Sequence, residues 1–201
     1  MESEILPALI EVKRSLESTG IEYMVVGSLA SSVHGLPRTT RDADLIVAID
    51  QDQVRTLASA LRPQFYISEE AALDAIRHGS SFNAIHEESF FQIDMFIQKP
   101  SPFNRAQFER RQQIEIDPGR HIAMPFQSAE DAVLSKLVWF REGHEVSERQ
   151  WQDVMGIIRT QGSELDLAYL SLWATNLGVD DLLHRALTEV WPEADRPEDE
   201  R

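Results

Sequence analysis

The sequence contains no cysteine, which removes disulfides, thiol nucleophiles and thiolate metal sites together. Carboxylate and histidine are the strong metal ligands that remain, so hard, oxygen-preferring cations are the natural expectation. No uninterrupted apolar stretch approaches the ~18 residues that span a bilayer. The start, MESEILPALIEVKR, is acidic and helical rather than signal-like. A cytoplasmic location with no membrane partner follows as the expectation. Basic residues are scarce: 19 Lys and Arg face 34 Asp and Glu, for a formal charge of -15. That is the wrong sign for gripping long nucleic acid by overall field. Internal repeats and low-complexity tracts are also missing, which excludes solenoids.

What is present suits a folded chain of mixed α/β (α+β) class. At 201 residues and 42% hydrophobic content it can bury a real core. Leu6, Ile10, Val12 and Leu16 recur at near-helical spacing up to Gly20. Ile21 to Val26 reads as a buried strand, Gly27-Ser28 as a turn, and Leu29 to His34 as a short helix stopped by Gly35-Leu36-Pro37. Asp44 to Ile49 is a second strand. Helices are expected from about Asp52 to Leu61 and from Ser68 to His78. Ser81 to Ile85 and Phe90 to Ile97 read as paired strands, and Asp117-Pro118-Gly119 as a hairpin turn. After Met124-Pro125 only helices are expected, opened by the capping box Ser128 to Asp131. The expected division is a core domain at 1–127, a helical region at 128–191 and a disordered acidic tail at 192–201.

The chemistry concentrates in three acids. Strand alternation puts Asp42 and Asp44 on one face, and Asp94 lies inside the apolar run FFQIDMFI. Burying such acids costs repulsion and desolvation that divalent cations offset. If the two strands are neighbours in register, these carboxylates reach cations ~3.5 to 4 Å apart, the geometry of two-metal phosphoryl transfer. An Asp-x-Asp pair alone is weak evidence in an acidic chain. Gly27-Ser28 opens a helix whose free N–H groups favour an anion such as a triphosphate, although a plain helix cap is the simpler reading. Arg38 and Arg41 flank the turn into the acids; they either reach nucleotide phosphates or offset the acids' mutual repulsion.

The pattern VVGSLASSVHGLPRTTRDADLIV followed by FFQIDMFI resembles the nucleotidyltransferase superfamily, which includes DNA polymerase beta and the kanamycin nucleotidyltransferases. Within it the likeness is nearest to the AbiEii-like toxin group, where Gly-Ser, a short helix, Gly-x-x-Arg-x-Thr and Asp-x-Asp follow in that order. The resemblance covers residues 23 to 97. It implies a nucleotidyltransferase-type mixed sheet flanked by helices. It also implies that Gly27 and Ser28 hold nucleotide phosphates while Asp42, Asp44 and Asp94 bind Mg2+ or Mn2+. Downstream, SKLVWFREGHEVSERQWQDVMGII resembles the family's helical segment at Lys136, Arg141 and Asp153, with Gln150 standing where relatives often carry an acid. Lys136 is then the candidate for countering triphosphate charge; on helical geometry it is equally an ordinary exposed lysine.

The implied activity is nucleotidyl transfer from an NTP such as ATP to an acceptor hydroxyl, with Asp94 aiding deprotonation and pyrophosphate leaving. The region from Ser128 is expected to wall the cleft. Relatives modify tRNA ends, proteins or antibiotics, so the acceptor stays open, and a toxin–antitoxin role would add a cognate partner protein. The alternative is a catalytically inactive module that senses nucleotide or binds a partner; a sugar-nucleotide transferase fits the Gly-Ser turn poorly. Arg105, Arg110, Arg111 and Arg120 read as a solvated basic face before a phosphate patch. His34, His78, His86, His121, His144 and His184 show no metal-ligand spacing. Trp139, Phe140 and Trp151 read as helix packing.

Overall fold

The computed structural model describes residues 5–192; the expected acidic tail lies, from 193 on, outside the described residues. Contacts divide the chain into two compact units. The first runs to Leu29 and resumes over Thr39–Gln127; the second takes Ala30–Arg38 and the chain from Ser128.

The first unit is built on a seven-stranded mixed sheet. Its strands are β1 (Glu22–Val26), β2 (Asp42–Ala48), β3 (Phe65–Ile67), β4 (Ser81–His86), β5 (Gln92–Ile97), β6 (Gln112–Asp117) and β7 (Ile122–Phe126). Their order across the sheet is β3-β4-β5-β2-β1-β7-β6. β2 runs antiparallel to β1 and parallel to β5, so the two acid-bearing strands lie side by side at the centre. Alternation decides which face each residue takes: Ala43, Leu45 and Val47 are wholly buried, while Asp42, Asp44 and Ile46 are half-buried on the other side. β5 repeats the pattern with Ile93 and Met95 inward and Gln92 and Asp94 on the acid side.

Helices α1 (Ile5–Ser18), α3 (Val54–Leu61), α4 (Glu69–His78) and α5 (Pro102–Glu109) belong to this unit, and α2 (Gly27–His34) begins in it. Local rules fix their ends. Ser68 accepts from the Ala71 N–H to open α4, and Gly79 at φ +60° closes it in the left-handed form. α5 and the short β3 carry no strong periodic signal and were not expected. The run from Phe90 was expected to be strand throughout. β5 instead starts at Gln92, because Phe90 at φ +56° closes the hairpin from β4, its N–H donating to the His86 carbonyl at 2.8 Å.

The second unit contains α6 (Ala129–Glu142), α7 (Glu148–Gln161), a 3-10 turn at Gly162–Glu164, α8 (Leu167–Leu177) and α9 (Asp180–Val190). The Ser128 cap forms as the sequence predicts, accepting from the Asp131 N–H at 3.2 Å. Asp131 is wholly buried, and the Ser128 and Tyr169 hydroxyls donate to its two oxygens at 2.8 and 2.7 Å. A buried carboxylate is thereby satisfied. Among the described residues no helix is long and apolar enough to cross a membrane.

Candidate functional site

The parallel register between β2 and β5 settles where the acids lie. Asp44 is the Cα partner of Asp94, and Asp42 that of Gln92, so the acids share one half-buried face. Each outer acid is held by a neighbour to which the sequence reading gave no role. The Thr40 hydroxyl donates to Asp42 Oδ1 at 2.8 Å, and the Gln92 amide donates to Asp94 Oδ1 at 2.7 Å. Gln92 was findable, since residue i-2 of a strand shares the face of its acid. Thr40 lies before the strand begins and offered no such signal.

Gly27 has a role beyond easing a turn. It sits at φ +65°, and a Cβ placed there would lie 1.9 Å from Asp44 Oδ2. Val26, just before it, is the antiparallel partner of Asp44. The missing side chain is the space the Asp44 carboxylate occupies, which brings that acid against the first turn of α2, where Ser28 also stands.

A divalent cation fits this face by donor chemistry: oxygens only, from three acids on two adjacent strands. The side-chain positions are not those of a bound ion. Among the described residues no group of three or more His, Cys, Asp and Glu side chains is arranged to hold a metal. Thr40 and Gln92 each engage Oδ1 of their acid.

Arg38, Lys136 and Asp153 come together in the second unit. Arg38 donates to Asp153 through Nε at 3.0 Å and through a second nitrogen at 3.1 Å, and Lys136 Nζ donates to the same carboxylate at 2.8 Å. The reading of Lys136 as an exposed lysine is corrected here, since the residue is only 3% exposed. Helical geometry alone misleads because α6 is buried around most of its circumference. Burial pushes Asp153 up, but the hydrogen bonds from Arg38 and Lys136, with their charges, outweigh it and hold the carboxyl below its usual value. Gly35 makes the arrangement possible: a Cβ there would meet the Ile157 nitrogen of α7 at 2.8 Å. Close approach of backbone to helix sets where Arg38 begins, and Gln161 reinforces it by donating to the His34 carbonyl at 2.7 Å.

Arg41 takes a different place from Arg38. It is exposed and lines a cavity of about 310 Å³ with Ile5, Thr39, Thr40, Ser89, Phe90 and Phe91. Arg141 pairs with Asp181, and Phe140 packs on Trp151 with ring centroids 5.2 Å apart. In the basic stretch, Arg111 donates to Glu22 at 3.0 Å and Arg120 lies 3.6 Å from Asp117. These arginines pair with local acids, which suits a solvated face better than a phosphate patch.

No family model and no curated protein matches the chain. Solved structures do. ANT(2″)-Ia in complex with adenylyl-2″-tobramycin matches with TM-score 0.59 at 11% identity, covering 86% of this chain and 95% of that one. The solution structure of the same antibiotic-resistance factor matches with TM-score 0.54 at 11% identity, covering 92% of this chain and 99% of that one. A lincomycin-bound lincosamide antibiotic adenylyltransferase, LnuA, gives TM-score 0.48 at 16% identity over 78% of this chain and 96% of that one. The fold is accordingly of the nucleotidyltransferase type.

Proposed function

We propose that the chain is a divalent-cation-dependent nucleotidyltransferase, moving a nucleoside monophosphate from an NTP to an acceptor hydroxyl. One observation carries the reading: Asp44 and Asp94 are register partners on adjacent parallel strands, with Asp42 on the same face and Gly27 against Asp44. The backbone N–H groups of the first turn of α2, with Ser28, take the phosphates. Arg41, exposed on the same unit as these acids, is the candidate cation for the phosphates. Magnesium or manganese held by Asp42, Asp44 and Asp94 would supply charge neutralisation for the triphosphate.

In the transfer, the acceptor oxygen forms a bond to the α-phosphorus while the bond from that phosphorus to the bridging oxygen breaks. Pyrophosphate leaves with the electron pair, and Asp94 takes the hydroxyl proton. Positioning and charge, not a covalent enzyme intermediate, carry the rate. The order of Gly27-Ser28, Gly35-x-x-Arg38-x-Thr40 and Asp42-x-Asp44 places the chain, in this reading, near the AbiEii-like toxins, with a cognate antitoxin as partner.

The test is purified protein incubated with labelled NTPs, divalent cation and cell extract, following label and pyrophosphate. Transfer should occur in the native chain and vanish in the Asp42→Asn, Asp44→Asn double variant, which stays folded. Equal transfer by that variant refutes the assignment. A second reading, a nucleotide-sensing module without catalysis, is favoured by the acids being engaged with Thr40 and Gln92. Calorimetry showing NTP binding without pyrophosphate release would select it.

A further inference from the structure

The sheet face that carries the acids is packed over one half and exposed over the other. Across β1 and β2, Phe108 of α5 lies with Met24 and Val26, and Ile46 and Ala48 pack against them. Toward β3 and β4 the register carries the same face outward. Val26, Asp44, Asp94 and Asn83 are successive partners across β1, β2, β5 and β4. Asp42, Gln92, Ile85 and Tyr66 form the next row, across β2, β5, β4 and β3. Cross-strand partners share a face with Cβ atoms ~4.5 to 5.5 Å apart, so Asn83 stands directly beside Asp94. On the far side of Asp94 along β5, Phe96 is the partner of Ser81. These side chains reach solvent: Tyr66 is 63% exposed, Phe96 is 37% exposed, and Ser81 and Asn83 are exposed as well. A solvent-facing sheet side and a sheet edge are ordinarily dressed with charge. In a chain with 26% charged residues, β3 and β4 place only Tyr66, Ser81, Asn83 and Ile85 on this face, none of them charged.

We infer that the acceptor binds on this platform, over Asn83 and Ile85 between Tyr66 and Phe96, and that it is an uncharged glycoside. The inference rests on the nucleotidyl-transfer reading above and gives that reading an acceptor class. The first turn of α2, where that reading seats the phosphates, lies against Asp44. Attack on the α-phosphorus runs roughly in line with the departing pyrophosphate, so the hydroxyl enters from the opposite side, past Asp94. That is the side of β4. A sugar ring lays its apolar face on the Tyr66 ring while the Asn83 amide, with its N–H donors and carbonyl acceptor, meets the hydroxyls. Two strand spacings of ~4.8 Å separate β3 from β5, so a ligand ~10 Å long reaches from Tyr66 to Asp94. One of its hydroxyl oxygens bonds the α-phosphorus, its proton passes to Asp94, and pyrophosphate leaves with the electron pair. A nucleic-acid end would bring phosphates that none of the platform side chains neutralises. A polycation would find no carboxylate contributed to this face by β3 or β4.

Four probes separate the outcomes by NMR titration in the absence of NTP: phenyl β-D-glucopyranoside, phenyl β-D-galactopyranoside, tobramycin and tetrauridylate. About 0.3 M salt screens the field of a chain of net charge -15. At least one glycoside should bind and shift the backbone amides of Tyr66, Asn83 and Asp94. Tyr66→Thr and Asn83→Thr remove the ring and the amide but keep strand preference, so both variants should unfold at about the native urea concentration. Each should bind the glycoside at least about tenfold more weakly. No binding of either glycoside, shifts confined to residues away from this face, or glycoside binding unchanged in both variants overturns the inference. So does binding of tobramycin or tetrauridylate that the two substitutions weaken while glycoside binding is untouched. ATP binding with divalent cation, measured separately, distinguishes the failures: glycoside binding at the platform without ATP binding sinks the transfer reading, while ATP binding without glycoside binding sinks only the acceptor site.

Discussion

A Cβ added to Gly27 would stand 1.9 Å from Asp44 Oδ2, 2.7 Å from its Cγ and 2.9 Å from its Cβ. The glycine and the acid are one device, in which the absent side chain of the first is the seat of the second. Gly27→Ala should destabilise the fold by more than the roughly 1 to 2 kcal/mol of a left-handed alanine, because the carboxylate must also move. In an Asp44→Ala background the same substitution should cost less, since Oδ2 and Cγ are gone. Urea unfolding of the four chains in a double-mutant cycle measures this coupling. An identical Gly27→Ala cost in both backgrounds would refute it.

The Gln92 amide competes for Asp94 Oδ1 with any ion that the acid is to bind. A hydrogen bond of this kind is worth about 0.5 to 1.5 kcal/mol net, so Gln92→Met should tighten manganese binding by up to about tenfold. Calorimetric titration with Mn2+ checks this. Weaker binding in the variant would mean that Gln92 orients Asp94 for the ion instead of withholding it.

Much of this geometry was legible because it is periodic. Alternation predicted the shared face of Asp42 and Asp44, and the Ser128 cap and the hairpin at Asp117 to Gly119 follow from local turn chemistry. What escaped depends on non-local approach. That Gly27 makes room for Asp44 and Gly35 for α7 cannot be read from a glycine in a turn, because the space is defined by another element. Phe90 read as strand on its hydrophobicity, yet its left-handed backbone is imposed by the hairpin hydrogen bond to His86. The burial of Lys136 was hidden because a lysine is rarely placed inside unless paired, and its partner Asp153 lies 17 residues away on another helix.

Asp153 answers to pH in a fixed direction. Its carboxyl is held below the ordinary Asp value of about 3.9, so its stabilisation is fully present above that pH and is lost as pH falls through the lowered native value. Thermal unfolding followed between pH 6 and pH 2 should show an acid loss that is smaller in Asp153→Asn. At neutral pH, Asp153→Ala leaves the buried Lys136 ammonium without its carboxylate and should cost about 3 to 5 kcal/mol, with Lys136→Met costing less. Equal costs for the two would argue that the pair's packing, not its charge, is what stabilises the helices.

Tyr23, on β1, is 4% exposed, and among the described residues its hydroxyl meets no partner within hydrogen-bond geometry. Burial first, and then the charge of the Glu17 carboxylate, hold the phenol well above its usual value. A buried hydroxyl of this kind is a cost of about 1 to 3 kcal/mol that the surrounding β1 packing carries. Tyr23→Phe keeps the ring against the sheet and removes the unsatisfied oxygen. The variant should therefore be at least as stable as the native chain in urea unfolding, with an unchanged denaturant slope. A loss of 1 kcal/mol or more would show that the hydroxyl does have a partner, with Glu17 the nearest candidate, and the Glu17→Gln variant would then reproduce that loss.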